Sequence, residues 1–310
     1  MSHLDLLALI YLGAVWGAAF LFFRVASPEV GPVWAAEIRL LIGGGLLAIV
    51  FGRRTLAVAR GRLGTFVVVG ALFSAIPFTL ISIAEVTLPA GFTALLNAAT
   101  PLFTAGIAVA FLGQRLSTRV IAGLAVGVLA VIVLVGWSPF DTTTTTLLAA
   151  SAGLGAPLSY AFAGNLVRAR LSDVPANELA TGMLVAGAFV ALPAAILSGP
   201  PSAPALDGIV SLIAVGTLST ALAWPVFFRV LRRTTPTAAS TVTFIVPAFA
   251  LTWGSILLAE PVGVGLFIGF GLILVSLVLV LGLRPSSMLR RPAGGLVVGA
   301  SRVATTSAPR

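Results

Sequence analysis

Ten long apolar stretches divide this chain, and arginine crowds every second gap between them. The stretches run approximately over 4–23, 33–52, 64–84, 88–111, 120–137, 146–167, 176–197, 208–228, 236–258 and 263–283. The hydrocarbon core of a bilayer needs about 20 helical residues to cross, and each stretch is long enough. The gaps on one side hold Arg53, Arg54, Arg60 and Arg62, then Arg115 and Arg119, then Arg168 and Arg170, then Arg229, Arg232 and Arg233. The gaps on the other side hold one basic residue, Arg24. Basic loops stay in the cytoplasm. The pattern therefore predicts an all-α integral membrane protein, multi-pass, with both termini cytoplasmic; in a bacterium such a helical bundle belongs to the inner membrane.

Composition agrees with that solvent. The chain is 59% hydrophobic and 9% charged, where a soluble domain carries roughly 25% charged residues. Its net charge of +9 sits beside the apolar stretches. Topology and contact with anionic headgroups account for it better than nucleic acid does. Cysteine is absent and His3 is the lone histidine, so no disulfide, thiol chemistry, metal centre or cofactor is expected. The first stretch opens on Asp5 and is too long for a signal-peptide core, so it reads as a membrane helix. Residues 284–310, rich in Arg, Pro, Ser and Gly, are expected to form a disordered basic cytoplasmic tail.

A shift of 146 residues superposes the chain on itself without a gap. Gly70 falls on Gly216, Leu72 on Leu218, Ala75 on Ala221, Pro101 on Pro247, Phe103 on Phe249, Leu112 on Leu258, Gly123 on Gly269 and Gly136 on Gly282. Two repeats, 4–137 and 146–283, would each hold five spans. Five is odd, so the second copy enters the membrane upside down. The expected fold is ten transmembrane helices in two inverted five-helix repeats, a recurrent plan of secondary transporters. The fifth and tenth spans are almost free of polar side chains, so they are lipid-facing, deeply packed or a contact between the protomers of a homodimer. The other eight must line any path.

Polar groups on the remaining spans mark that path. Thr93, Asn97, Thr100 and Thr104 recur at helical spacing on the fourth span, beside Pro101. Proline lacks an N–H and displaces the carbonyl four residues back, which frees the Asn97 oxygen. Ser240, Thr243 and Pro247 repeat the device on the ninth span. Pro77 and Pro225 add further breaks. Rings gather on the same helices: Trp16 and Phe20, Phe78, Tyr160, and Trp224 with Phe228 near Thr217 and Thr220. Ring faces with a few hydroxyls suit an uncharged or zwitterionic, partly apolar solute. Each feature also has a plainer reading, as helix curvature, self-bonded hydroxyls or packing. Arg39 and Glu37 on the second span are candidates for holding a substrate carboxylate and a proton, or else snorkel to the interface. Glu85 and Glu260 read as ordinary loop charges. Gly13-x-x-x-Gly17, Gly123-x-x-x-Gly127 and Gly265-x-x-x-Gly269 allow close helix approach. No phosphate-binding loop, zinc motif or Gly-x-Ser-x-Gly elbow is present.

From residue 4 to about 283 the chain resembles an EamA-type transporter of the drug/metabolite transporter superfamily. The resemblance rests on Trp16-Gly17 with Phe20, on Arg39, on Pro101 followed by Gly113-Gln114-Arg115-Leu116-Ser117 and Gly123, and on Pro247, Ala259-Glu260-Pro261 and Gly269. It implies ten helices around a central cavity and alternating access, often for export of amino acids or related metabolites. The family usually carries glutamate where this chain has Gln114, while Glu260 keeps the second acid. The expected function is a secondary transporter, an exporter of a small amphipathic solute. The alternatives are a membrane enzyme acting on a lipid-soluble substrate, or an importer or drug-efflux protein of the same superfamily.

Overall fold

A computed structural model describes residues 3–112, 117–137, 143–233 and 242–281. Among them every regular element is helical and no strand occurs. Gln114, Ser240 and the tail 284–310 lie outside the described residues, as does the side chain of Thr243.

The first helix, α1 (His3–Val30), runs beyond its apolar stretch through Arg24 and Pro28. Gly31 then turns the chain at φ +85°, a left-handed conformation that glycine adopts without strain. Pro32 opens α2 (Pro32–Ala59), where a missing N–H leaves no bond unmade. The third span, Leu63–Thr87, is continuous but not uniform. Helix α3 (Leu63–Gly70) widens into a π turn, π1 (Ala71–Ala75), before α4 (Ile76–Thr87). Pro77 follows directly, and the widened turn accommodates its ring. The eighth span repeats the device: α10 (Leu206–Gly216), π2 (Thr217–Leu222) and α11 (Ala223–Arg233). The two π turns begin 146 residues apart.

The fourth span is broken, and the break falls just ahead of Pro101. Its parts are α5 (Ala90–Asn97) and α6 (Thr100–Leu112), with Ala98 and Ala99 in a turn. Pro101 thus sits in the first turn of a new helix, where its lack of an N–H is harmless. Four helices follow a similar course: α7 (Thr118–Gly136), capped by Ser117; α8 (Thr144–Arg170), with a capping box at Thr143; α9 (Ala176–Leu197); and, after α11, α12 (Val242–Leu258). Pro247 lies inside α12 without breaking it, so the two prolines are not structurally equivalent. Helix α13 (Val264–Leu281) ends the described chain.

Among the described residues, six helical segments are long and apolar enough to cross a membrane: His3–Val30, Pro32–Ala59, Leu63–Thr87, Thr144–Arg170, Ala176–Leu197 and Leu206–Val230. Thr118–Leu134, Ile245–Leu258 and Val264–Val280 are shorter apolar helices.

Contacts between elements recur at the shift of 146 residues. Helix α1 packs on α12 and on the span from α10 to α11; α8 packs on α5 and α6 and on π1 and α4. Helix α2 meets α10 and π2 as α9 meets α3 and π1. Glycines set these approaches. A Cβ on Gly123 would fall 2.7 Å from Val280, and one on Gly269 would collide with Leu134, which is the same contact shifted. Helices α7 and α13 therefore pack against each other within one chain. Their outer faces, including Val128, Ile132, Phe267 and Val275, are exposed.

Candidate functional site

Arg39 lies on α2 and is 4% exposed, so it does not snorkel. Its Nε donates to Thr220 Oγ1 at 2.8 Å, and that hydroxyl donates to the Val215 carbonyl at 2.7 Å. The guanidinium carbon stands 3.7 Å from the centre of the Phe78 ring and 5.2 Å from that of Phe23. Cation–π contacts of this kind reach about 2 kcal/mol when desolvated. Tyr160 on α8 lies close enough to the guanidinium to interact with it electrostatically. No hydrogen bond is described for the Tyr160 hydroxyl or for the two terminal nitrogens of Arg39.

A cluster of rings adjoins this charge. Trp16 meets Trp224 at 5.1 Å between centroids and Phe227 at 5.2 Å. Phe73, on π1, meets Tyr160 at 5.5 Å and Trp224 at 5.3 Å. Phe228 packs on Trp224 at 5.7 Å. The π turns place these groups. A π turn shifts the backbone register and releases carbonyls from the helical ladder. Ser219 O accepts from Trp16 Nε1 at 3.1 Å, and Leu72 O accepts from Ser159 Oγ at 2.7 Å. The Trp224 indole N–H is buried and has no partner among the described residues. An unpaired buried donor costs about 1–3 kcal/mol.

The sequence-predicted residues divide into groups. Trp16, Phe78, Tyr160, Trp224 and Arg39 come together. Phe20 is buried on α1 but outside the ring cluster. Glu37 is fully buried, with both carboxylate oxygens unpartnered among the described residues. The polar stripe of the fourth span mostly bonds to its own backbone. Thr93 donates to Pro89 O, Thr100 to Asn97 O at 2.8 Å and Thr104 to Thr100 O at 2.9 Å. The carbonyl expected to be free at Asn97 is thus occupied. Only the Asn97 side-chain oxygen is left buried without a partner. Nothing in the sequence singles out Phe23, Phe73 or Phe227. The two π turns fall where the repeat matches Gly70 to Gly216 and Ala75 to Ala221, a match that does not distinguish a π turn from plain helix. A separate apolar cleft of about 170 Å³ lies between Ala14, Val15, Phe22, Leu218 and Trp253, away from Arg39.

A second polar cluster joins the C-terminal end of α1 to the loop after α12. Glu260 accepts the Ala90 N–H at 3.0 Å and lies 3.7 Å from Arg24 Nε. Arg24 also donates to the Glu85 and Val86 carbonyls at 2.7 and 2.9 Å. Burial raises the Glu260 pKa, against the pull of the Ala90 and Gly91 N–H groups and of Arg24. Glu85 is fully buried, and its carboxylate oxygens have no partner among the described residues. Neither acid is an ordinary loop charge.

The profile of the EamA-like transporter family matches residues 4–136 and again 147–282. The chain belongs to this family. Among similar proteins is the "Probable terminal-alkyne amino-acid exporter" of Streptantibioticus cattleyicolor, 29% identical over 82% of this chain and 85% of that protein. The "Uncharacterized transporter YoaV" of Bacillus subtilis is 23% identical over 85% of this chain and 92% of its own length. An "Uncharacterized inner membrane transporter YedA" of Escherichia coli is 25% identical over 88% of this chain and 89% of its own length. A solved crystal structure superposes with a TM-score of 0.62 at 17% identity, over 90% of this chain and 96% of the other, and shares the fold. This EamA-like family member is a multi-pass membrane transporter, not an enzyme.

Proposed function

We propose that the chain is a secondary transporter of ten spans, built as two inverted repeats over 4–137 and 146–283. It exports a small amphipathic metabolite that carries a carboxylate, an amino acid or a related compound, from the cytoplasm. One observation carries the substrate reading. The terminal nitrogens of Arg39, the Tyr160 hydroxyl and the Trp224 indole N–H bring donors with no partner among the described residues to a region walled by Trp16, Phe73 and Phe78. Donors alone suit an anion, and guanidinium matches carboxylate in two-pronged geometry. Ring faces suit the apolar remainder. The similarity to an amino-acid exporter points the same way.

The paired contacts at one shift support the repeat, as do the paired π turns. With both termini cytoplasmic, the end holding Arg24 and Glu260 faces outward. There α5 packs on α12, and that packing favours a conformation closed outward. The broken segment Asn97-Thr100-Pro101, with Thr243 and Pro247 opposite, then acts as the gate, and Phe20 backs it. Glu37 is a second acid available to the cycle.

The test is counterflow in proteoliposomes across a panel of amino acids and their decarboxylated analogues. Carboxylates are expected to exchange and the matching amines are not. Charge-assisted hydrogen bonds contribute about 1.5–3 kcal/mol each, so Arg39→Gln is expected to weaken half-saturation at least about tenfold. No exchange of any panel member would overturn the proposal.

A further inference from the structure

Two acids meet one arginine at the end of the bundle where α1, α4, α5 and α12 converge. Glu260 is already committed: both of its oxygens lie within 3.1 Å of the Ala90 N–H, and one faces Arg24. Glu85, on α4, feels both Glu260 and Arg24 but is bonded to neither. Arg24 has turned its amino group to the Glu85 and Val86 backbone carbonyls. Thr93 stands beside Glu85. Its hydroxyl reaches Pro89 O at 3.3 Å and can turn to either form of the acid, as acceptor to a neutral carboxyl or as donor to a carboxylate. Arg24, Glu85 and Glu260 are the charged groups that face one another here among the described residues.

The charges decide the protonation. With both acids ionised, the cluster would hold two negative charges against one positive, out of water. A buried carboxylate beside another carboxylate is costly, and taking up one proton resolves the conflict. With one proton on Glu85, the cluster is neutral. A neutral acid also needs an acceptor, and Thr93 Oγ supplies one. When this end opens, water reaches Glu85 and that reason to hold the proton disappears. We infer that closing this end of the bundle takes up one proton, held on Glu85. For the proposed exporter, the proton taken up from the outside on closing is given back to the same side on opening, so it sets how the outward gate responds to external pH. That last step rests on the transport reading; the proton site does not.

Val86 and Val262 are both partly exposed, at 41% and 37%, and lie beside the two acids in sequence. Because the chain has no cysteine, Val86→Cys and Val262→Cys can carry a spin-label pair without background. Label distances would be measured in nanodiscs from about pH 5 to about pH 9, with and without sodium. In the parent, one linked proton should raise the open-to-closed ratio as pH rises, by up to about tenfold per pH unit. In Glu85→Gln, which mimics the protonated acid, the closed population should persist and the slope should vanish. An unchanged slope in Glu85→Gln overturns the inference, as does a shift that follows sodium and not pH. Should Glu85→Gln fail to fold, infrared difference spectra of the parent give the same answer. A protonated buried carboxyl stretch that fades as the pair separates supports the inference, and its absence in the closed state refutes it. A pH-linked distance change without solute flux would leave this site standing and sink the transport reading.

Discussion

Arg39 shows how one buried charge is held. An arginine at the centre of a membrane helix carries an insertion penalty of roughly 2.5–3.5 kcal/mol, and Arg39, nearer the start of α2, meets part of it. Here it is offset by one hydroxyl and two ring faces, while its terminal nitrogens keep their capacity. Thr220→Val keeps the shape and removes the acceptor of Nε. It is expected to lower stability by about 1–3 kcal/mol, read as a lower unfolding temperature in detergent. An unchanged temperature would mean that the rings alone hold the guanidinium. Arg39→Lys should not restore binding lost in Arg39→Gln, because an ammonium cannot bond Thr220 and still present a planar fork. Glu260 makes a pH prediction at the same scale. Burial raises its pKa above the ordinary 4.5, so the native state favours its protonated form. The associated stability is complete below 4.5 and drains away as pH rises through the raised value. Thermal unfolding of the parent should therefore fall with pH relative to Glu260→Gln across that window. A difference independent of pH would show that Glu260 acts through packing.

The elements carry the same argument to the backbone. Glycines at the crossings admit nothing larger. A Cβ on Gly70 would fall 2.6 Å from the Gly187 backbone nitrogen, which cannot rotate aside, whereas Gly45 faces open space. Overpacking costs typically 1–3 kcal/mol, so Gly70→Ala is expected to depress the unfolding temperature. Gly45→Ala should leave it level or raise it, since alanine is the better helix former. The contrast explains what was legible in the sequence. Apolar length, arginine placement and the Gly and Pro matches are period and composition signals, and they marked the spans. Arg39, Trp16, Tyr160 and Trp224 stood out because polar and aromatic groups are conspicuous in apolar helices. The π turns did not, since one extra residue in a helical turn leaves no compositional trace. Nor could the sequence say that Thr220, 181 residues away, would be the partner of Arg39. Burial of Glu85 was hidden for a similar reason. Its position at a span end suggests a loop, and only the convergence of α1, α4, α5 and α12 covers it.

At the scale of the whole molecule, the paired contacts separate fixed parts from moving ones. In an inverted repeat that works by exchanging the conformations of its halves, a contact that maps onto itself can persist through the cycle. The pairing of α7 with α13 is such a contact, since the Gly123–Val280 and Gly269–Leu134 approaches are one geometry used twice. The packing of α5 on α12 joins the two repeats at the end that holds Arg24 and Glu260, and the exporter reading requires it to break when that end opens. Disulfides can tell these apart in a chain that has no cysteine of its own. A Cβ built on Gly254 lies 3.8 Å from that of Ala90, within the range a disulfide spans without strain. Oxidising Ala90→Cys with Gly254→Cys is expected to abolish transport at least about tenfold, with recovery on reduction. Oxidising Leu134→Cys with Gly269→Cys is expected to leave it within about twofold. Equal inhibition by both bridges would mean that α7 and α13 move as well. Full activity with the first bridge closed would show that the path does not pass between α5 and α12.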